Sequence, residues 1–295
     1  MIYSIENENL YVAVDTLGAQ LASVRSKKTG VEYLWQGHPN YWNGRAYNLF
    51  PFIGRMFGGE YVYQGNTYKI RPHGLARYYE FALTEQTENT LGFTFTHKSA
   101  DGILEQYPFH FAFTVRFLLS GDTLTTEYSV KNLETERTLI AAFGGHPGIN
   151  VPFDDGCFED YYVQFEGADG IRQHLLSENM FMDGATVPYS LVDGDKLPLR
   201  HPLFDNDALI FSGSGKAARL CKKGSSRYVR MEYPDYKYFA LWHAVKTDAP
   251  YVCFEPWQAL CATEGVVDDI ETKPDMLHVK AGESAKAIFT LQIVE

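Results

Sequence analysis

Four short segments set ionisable side chains among glycines and aromatic residues. Asn48–Phe57 reads NLFPFIGRMF and places Arg55 after a glycine in an otherwise apolar run. Arg71–Arg77 reads RPHGLAR, with His73 ahead of Gly74 and Arg77 at its end. In Phe143–Asn150, FGGHPGIN, His146 stands between Gly144-Gly145 and Pro147-Gly148. Val252–Trp257, VCFEPW, is strand-like and carries Glu255 beside Pro256 and Trp257. A carboxylate in so apolar a run is costly to bury alone, so Glu255 needs a partner or a ligand. Glycine beside a histidine removes side-chain bulk, which would let a ligand approach the imidazole. A strand-borne Glu with two Gly-flanked histidines suits proton transfer between oxygen atoms. The competing reading of each residue is structural: a hydrogen-bonded core histidine, an arginine paired with an acid, glycines that only mark turns.

Other chemistries lack their residues. There is no G-x-S-x-G elbow, no phosphate-cradling glycine loop with Lys-Ser/Thr, and no H-E-x-x-H. The histidines of the four segments have no i, i+2 or i, i+4 spacing, so no metal site is expected. Cys157, Cys221, Cys253 and Cys261 form no C-x-x-C pair. They read as free thiols of a reducing cytoplasm rather than as a disulfide framework.

The elements that must carry these groups read as strands. The chain of 295 residues holds 20 Tyr, 20 Phe and 4 Trp, residue types that favour strands over helices. Leu10–Val14 is almost continuously apolar, as in a strand buried on both faces. Leu91–His97 alternates apolar and small residues. Phe111–Leu119 and Leu124–Val130 flank Ser120-Gly121-Asp122, a hairpin signal, and Ala285–Val294 alternates again. Helical signals are confined to short turns near Ile171–Leu176 and Asp268–Asp275. Residues 183–190 (DGATVPYS) and 192–202 (VDGDKLPLRHP) read as long loops. At about 150 residues per domain the length allows two domains, but composition does not change along the chain. The expectation is an all-β chain: one large antiparallel β-sandwich spanning residues 1–295.

The 26 Lys+Arg against 37 Asp+Glu give a net charge of −11, which argues against a nucleic-acid partner. No apolar stretch approaches the roughly 18–20 residues of a membrane span, and the N-terminal MIYSIENENL is no secretory signal. A cytoplasmic protein without membrane partners is expected.

Taken in order, GAQLASV (18–24), Gly54-Arg55, HGLAR (73–77), YPFHF (107–111), GGHPG (144–148), NDALIF (206–211), FEPW (254–257) and AGES (281–284) span nearly the whole chain. This ordered set resembles the aldose 1-epimerase (galactose mutarotase-like) superfamily, nearest its bacterial galactose mutarotase-related branch. The resemblance implies a β-supersandwich and an isomerase that interconverts the α and β anomers of a free hexose by acid/base ring opening and closure. It implies Glu255 as base and His146 as acid, His73 and Arg55 as sugar contacts, and Asp207 as acceptor of sugar hydroxyls. Asp205, two residues away on what would be the same strand face, competes with Asp207 for that role. Arg77 and Trp257 complete the implied binding set, with Trp35, Trp242 and Trp257 as candidates for a stacking wall. No cofactor is required. The HG-x-A-R arrangement also resembles hexose-6-phosphate mutarotases, where Arg55, Arg71 and Arg77 would hold a phosphate. A non-catalytic sugar-binding protein of the same fold is the third reading. The expected partner is therefore a small sugar, phosphorylated or not, bound by a monomer or homodimer.

Overall fold

A computed structural model describes residues 1–96 and 102–295. It consists of antiparallel β-sheets joined by turns and four single-turn 3-10 helices. The larger sheet has nine strands in the order Lys196–Pro198, Tyr161–Glu166, Ala217–Lys222, Tyr228–Glu232, Ser284–Val294, Thr123–Asn132, Phe111–Ser120, Thr90–Thr96, Ala82–Gln86. The second has seven, in the order Met182–Pro188, Arg172–Leu176, Leu209–Ser212, Tyr238–Trp242, Tyr251–Trp257, Gly144–Asn150, Ala46–Leu49. Ile2–Glu6, Leu10–Asp15 and Gln20–Ser26 form a separate three-stranded sheet. The expected β-sandwich is present. Among the described residues no helix is long and apolar enough to cross a membrane.

Alternation decides which face each strand buries. Along Phe111–Ser120 buried and half-buried residues alternate without a break, and Thr123–Asn132 repeats the pattern as its hairpin partner. The inward rings meet those of the seven-stranded sheet: Phe165 lies 5.7 Å from Phe211 and 6.1 Å from Phe239, each edge to face. Tyr251–Trp257 is buried at every position because it is covered on both sides. Val252 and Phe254 join the main core, whereas Tyr251, Cys253 and Glu255 point the other way.

One buried polar group ties three sheets together. Asn48 donates to the carbonyls of Gly18 and Ala19, both at 2.8 Å, in the turn before Gln20–Ser26. Its side-chain oxygen accepts from the Tyr128 hydroxyl at 2.7 Å, across the sandwich from Thr123–Asn132. All three bonds are buried.

Two expectations about elements change. Arg172–Leu176 is a strand, not a helical turn, because Leu209–Ser212 and Met182–Pro188 supply hydrogen bonds on its two sides. The stretches 183–190 and 192–202 are not wholly loops, since they contain most of Met182–Pro188 and all of Lys196–Pro198. Both are outermost strands, where one exposed side removes the apolar alternation and a proline is tolerated. Asp268–Asp275 does hold the short helical turn expected there, closed by Lys273 N–H to Asp269 C=O at 2.9 Å, and it does not extend into a helix. The strand expected at Leu91–His97 runs over Thr90–Thr96, and His97 lies outside the described residues.

Tyr128→Phe removes the donor that Asn48 Oδ1 finds among the described residues and leaves that oxygen buried. Urea unfolding should show a loss of about 1–3 kcal/mol with an unchanged m value. An unchanged midpoint would show that the three-sheet tie does not contribute.

Candidate active site

The outward face of the seven-stranded sheet carries the site. Gly144 stands opposite Trp257 and Gly148 opposite Cys253, so His146 falls level with Glu255 on the neighbouring strand. On the other side of His146 its register partner is Tyr47, and Ala240 is the partner of Glu255. Period-2 geometry then sends Glu255, His146, Tyr47 and Trp242 to one face. They line a cleft of about 300 Å³ together with Trp42, Arg55, His73, Arg77, Asp207 and Trp257. Every residue of the implied catalytic and binding set therefore converges: Glu255, His146, His73, Arg55, Asp207, Arg77 and Trp257 all border this one space.

Glu255 and His146 are in direct contact. His146 Nε2 lies 3.3 Å from Glu255 Oε1, with residue exposures of 6% and 1%. The other carboxylate oxygen, Oε2, accepts from Trp257 Nε1–H at 3.2 Å. Burial pushes the Glu255 carboxyl well above its ordinary range, the nearby Asp207 charge adds to this, and the Trp257 bond opposes it. Burial drives His146 well below its ordinary value, with His73 and Arg77 acting in the same direction. The opposite shifts favour a neutral pair, with one proton on Glu255 and His146 uncharged. His146 Nδ1 is buried and has no hydrogen-bond partner among the described residues.

His73 ties the second segment to the first. It adopts a left-handed backbone, φ 64°, donates its N–H to Gly54 C=O at 2.7 Å, and accepts Gly54 N–H on Nδ1 at 3.2 Å. A neutral ring accepting on Nδ1 carries its proton on Nε2, so it presents a donor. Burial lowers its pKa to about 3, and the Arg77 and Arg55 charges contribute. Gly54, φ 64°, is required: a Cβ there would stand 2.5 Å from that of Cys261. Asp207 also has a left-handed backbone, φ 74°, and accepts Trp242 Nε1–H at 2.6 Å. Burial raises its pKa, while Trp242 and Arg55 hold it down.

Several expectations about individual residues are corrected by the geometry. Asp205 and Asp207 do not share a strand: Asp205 closes the 3-10 turn His201–Phe204, and only Asp207 borders the cleft. Arg71 is outside the cleft with its guanidinium 4.8 Å over the Tyr78 ring, so the basic residues lining the cleft are Arg55 and Arg77. Trp35 is packed behind the wall, its indole N–H donating to Trp42 C=O at 2.9 Å, and does not face the ligand space. The wall consists of Trp42, Trp242 and Trp257. Nor do the glycines beside His146 open space for a ligand. A Cβ on Gly145 would meet Phe289 at 2.9 Å, and one on Gly144 would meet Leu49 at 3.0 Å. Their role is to admit core side chains beneath the strand.

His146, Cys253 and Glu255 have ligand-type atoms within 4.8 Å of one another. Burial holds the Cys253 thiol and the Glu255 carboxyl toward their protonated forms, so a cation there would have to displace protons. The four cysteines are all free, as expected, with Cys157 exposed and the others buried.

The comparisons agree with this architecture. The Aldose 1-epimerase family profile matches residues 1–292. Protein LacX (chromosomal) of Lactococcus lactis subsp. lactis is 32% identical over 302 residues, covering 100% of both chains. A galactose mutarotase related enzyme from Lactobacillus acidophilus superposes with a TM-score of 0.92 at 30% identity, over 100% of this chain and 98% of that one. A galactose mutarotase-like protein from Lactobacillus casei ATCC 334 gives 0.93 at 26% identity over 100% of both. The chain belongs to the aldose 1-epimerase family. Fold and family point to an isomerase-type enzyme acting on a sugar.

The depressed His73 has a measurable consequence. Between its ordinary pKa of 6.5 and its folded value of about 3 the unfolded chain binds a proton that the folded chain does not. Folding stability therefore falls as pH drops below 6.5, and this contribution levels off below about 3. His73→Asn, which keeps an acceptor for Gly54 N–H, should lose less stability than wild type between neutral and acid pH in paired thermal melts. Parallel curves would remove His73 from this role.

Proposed function

We propose that the protein is a mutarotase that interconverts the α and β anomers of a free hexose. The observation that carries the reading is the buried Glu255–His146 pair at 3.3 Å on the cleft floor. Anomeric O1 and ring O5 are bonded to the same carbon, so a base and an acid standing side by side serve both oxygens. With the shared proton on His146, the Glu255 carboxylate takes the proton of the O1 hydroxyl. The C1–O5 bond breaks, and O5 takes its proton from the His146 imidazolium. This leaves an open-chain aldehyde, a protonated Glu255 and a neutral His146. The aldehyde carbon turns about C1–C2, and O5 then attacks its other face. His146 recovers the O5 proton, O1 takes the proton from Glu255, and the site is restored.

The other cleft residues have matching tasks. His73, neutral with Nε2–H as donor, and Arg55 would hydrogen-bond sugar oxygens. Asp207, steadied by Trp242, would accept from hydroxyls. Trp42, Trp242 and Trp257 provide apolar faces for a pyranose. No step needs a redox or group-transfer partner, because protons leave and return within one turnover.

One observation favours a second substrate class. Arg55 and Arg77 border the cleft, and among the described residues neither makes an ion pair with a carboxylate. Two such guanidiniums would suit a 6-phosphate. We favour the free hexose because Arg71 lies outside the cleft and Arg77 is spread over the Tyr47 ring at 3.7 Å.

Equilibration of freshly dissolved α-D-glucose and α-D-galactose, followed by polarimetry beside their 6-phosphates, tests the reading. The free sugars should equilibrate faster than in buffer, and more so than the phosphates. Glu255→Gln and His146→Asn should each lose about 100-fold or more in rate while remaining folded. Acceleration confined to the phosphates would move the substrate to the second class. Binding of sugar without acceleration would make the protein a binder.

A further inference from the structure

A catalytic imidazole is normally oriented by a hydrogen bond to its second ring nitrogen. Here no other residue supplies it: among the described residues His146 Nδ1 is buried without a partner beyond the histidine's own main chain. What touches the ring instead is aromatic. Trp42 lies nearly parallel to it, with centroids 4.7 Å apart and an interplanar angle of 29°. Trp242 at 5.5 Å and Tyr47 at 6.1 Å present themselves to the ring at steep angles.

The chain is arranged around Trp42. Its carbonyl accepts from His38 N–H at 3.0 Å and from the Trp35 indole at 2.9 Å, which fixes the backbone of the turn. Its indole fits a slot kept clear by two glycines. A Cβ on Gly44 would meet the Tyr47 ring and stand 2.5 Å from the Trp42 ring, and one on Gly148 would stand 3.0 Å from the Trp35 Cβ and 3.3 Å from the outer edge of Trp42.

We propose that Trp42 is a positioning residue for the reaction: its indole face holds the His146 ring in place and stabilises the imidazolium that must form during proton transfer. The kinetic part of this inference rests on the mutarotase reading. The ionisable groups around His146 are Glu255 and Cys253 on the adjacent strand, His73 and Arg77 from the cleft wall, and Tyr47. Among them His73 and Arg77 oppose the cation, whereas a Glu255 carboxylate 3.3 Å from Nε2 would favour it. An aromatic face adds attraction for a cation without adding a charge, and Trp is the strongest such face. It does so without competing for the proton that Glu255 shares.

The experiment compares wild type, Trp42→Leu and Trp42→Phe by anomerisation kinetics and by NMR titration of 15N-labelled His146. The inference expects kcat of Trp42→Leu to fall about tenfold, over and above any rise in KM from the lost pyranose face, and Trp42→Phe to retain most of the rate. It expects His146 to titrate at lower pH in Trp42→Leu than in wild type. A folded Trp42→Leu with unaltered kcat and unaltered His146 titration overturns the inference. So does a rise in KM at constant kcat, which would make Trp42 a sugar wall only. Should Trp42→Leu not fold, Trp42→Met decides: a downward shift of the His146 titration supports the inference and an identical titration overturns it. If wild type accelerates no sugar, the mutarotase reading fails, and the titration still tests the action of Trp42 on His146.

Discussion

A carboxyl group and an imidazole are buried against each other on neighbouring antiparallel strands, and the rest of the site is arranged around that contact. Either group alone would be costly at this depth. Together they can share one proton, so the cleft floor need carry no uncompensated charge in its neutral form. Burial pushes Glu255 up and His146 down, which favours the neutral form at rest. The ionic form is one short proton transfer away, and it is the form in which Glu255 is a base and His146 an acid.

Such a contact needs a rigid frame. Tyr251–Trp257 is buried along its whole length, and the register with Gly144–Asn150 sets His146 and Glu255 side by side. The sheet is locked to its neighbours by Asn48, which bonds to the turn at Gly18–Ala19 and to Tyr128 across the sandwich. Indole N–H groups complete the frame on the cleft side. Trp257 holds one oxygen of Glu255, and Trp242 holds Asp207. The carboxyl groups that the proposed reading turns toward a ligand are thereby steadied by neutral donors rather than by cations.

Much of this was legible in the residues. A carboxylate between Phe254 and Pro256-Trp257 is anomalous in a buried strand, and Glu255 is indeed almost fully buried. The alternation in Phe111–Ser120 and its hairpin partner made the sandwich readable. What escaped reading depended on tertiary placement. Trp42 sits in a turn with no pattern of its own, and only the slot between Gly44 and Gly148 puts it over His146. Trp35, of the same residue type and seven positions earlier, packs behind it. The left-handed backbone of Asp207 broke the strand-face argument that set it beside Asp205. Outermost strands such as Met182–Pro188 bury too little to show a period.

The most direct measurement is the rate of exchange between the two anomeric H1 signals of D-glucose or D-galactose at equilibrium, recorded by NMR across pH with catalytic amounts of protein. A pair that holds one proton between a raised carboxyl and a depressed imidazole predicts a flat rate through neutrality. The rate should fall only when a second proton is forced on well below pH 6.5, or when the shared proton is lost above the raised titration of Glu255. A rate that instead follows a single titration centred near 6.5, the ordinary histidine value, would contradict the shared-proton account.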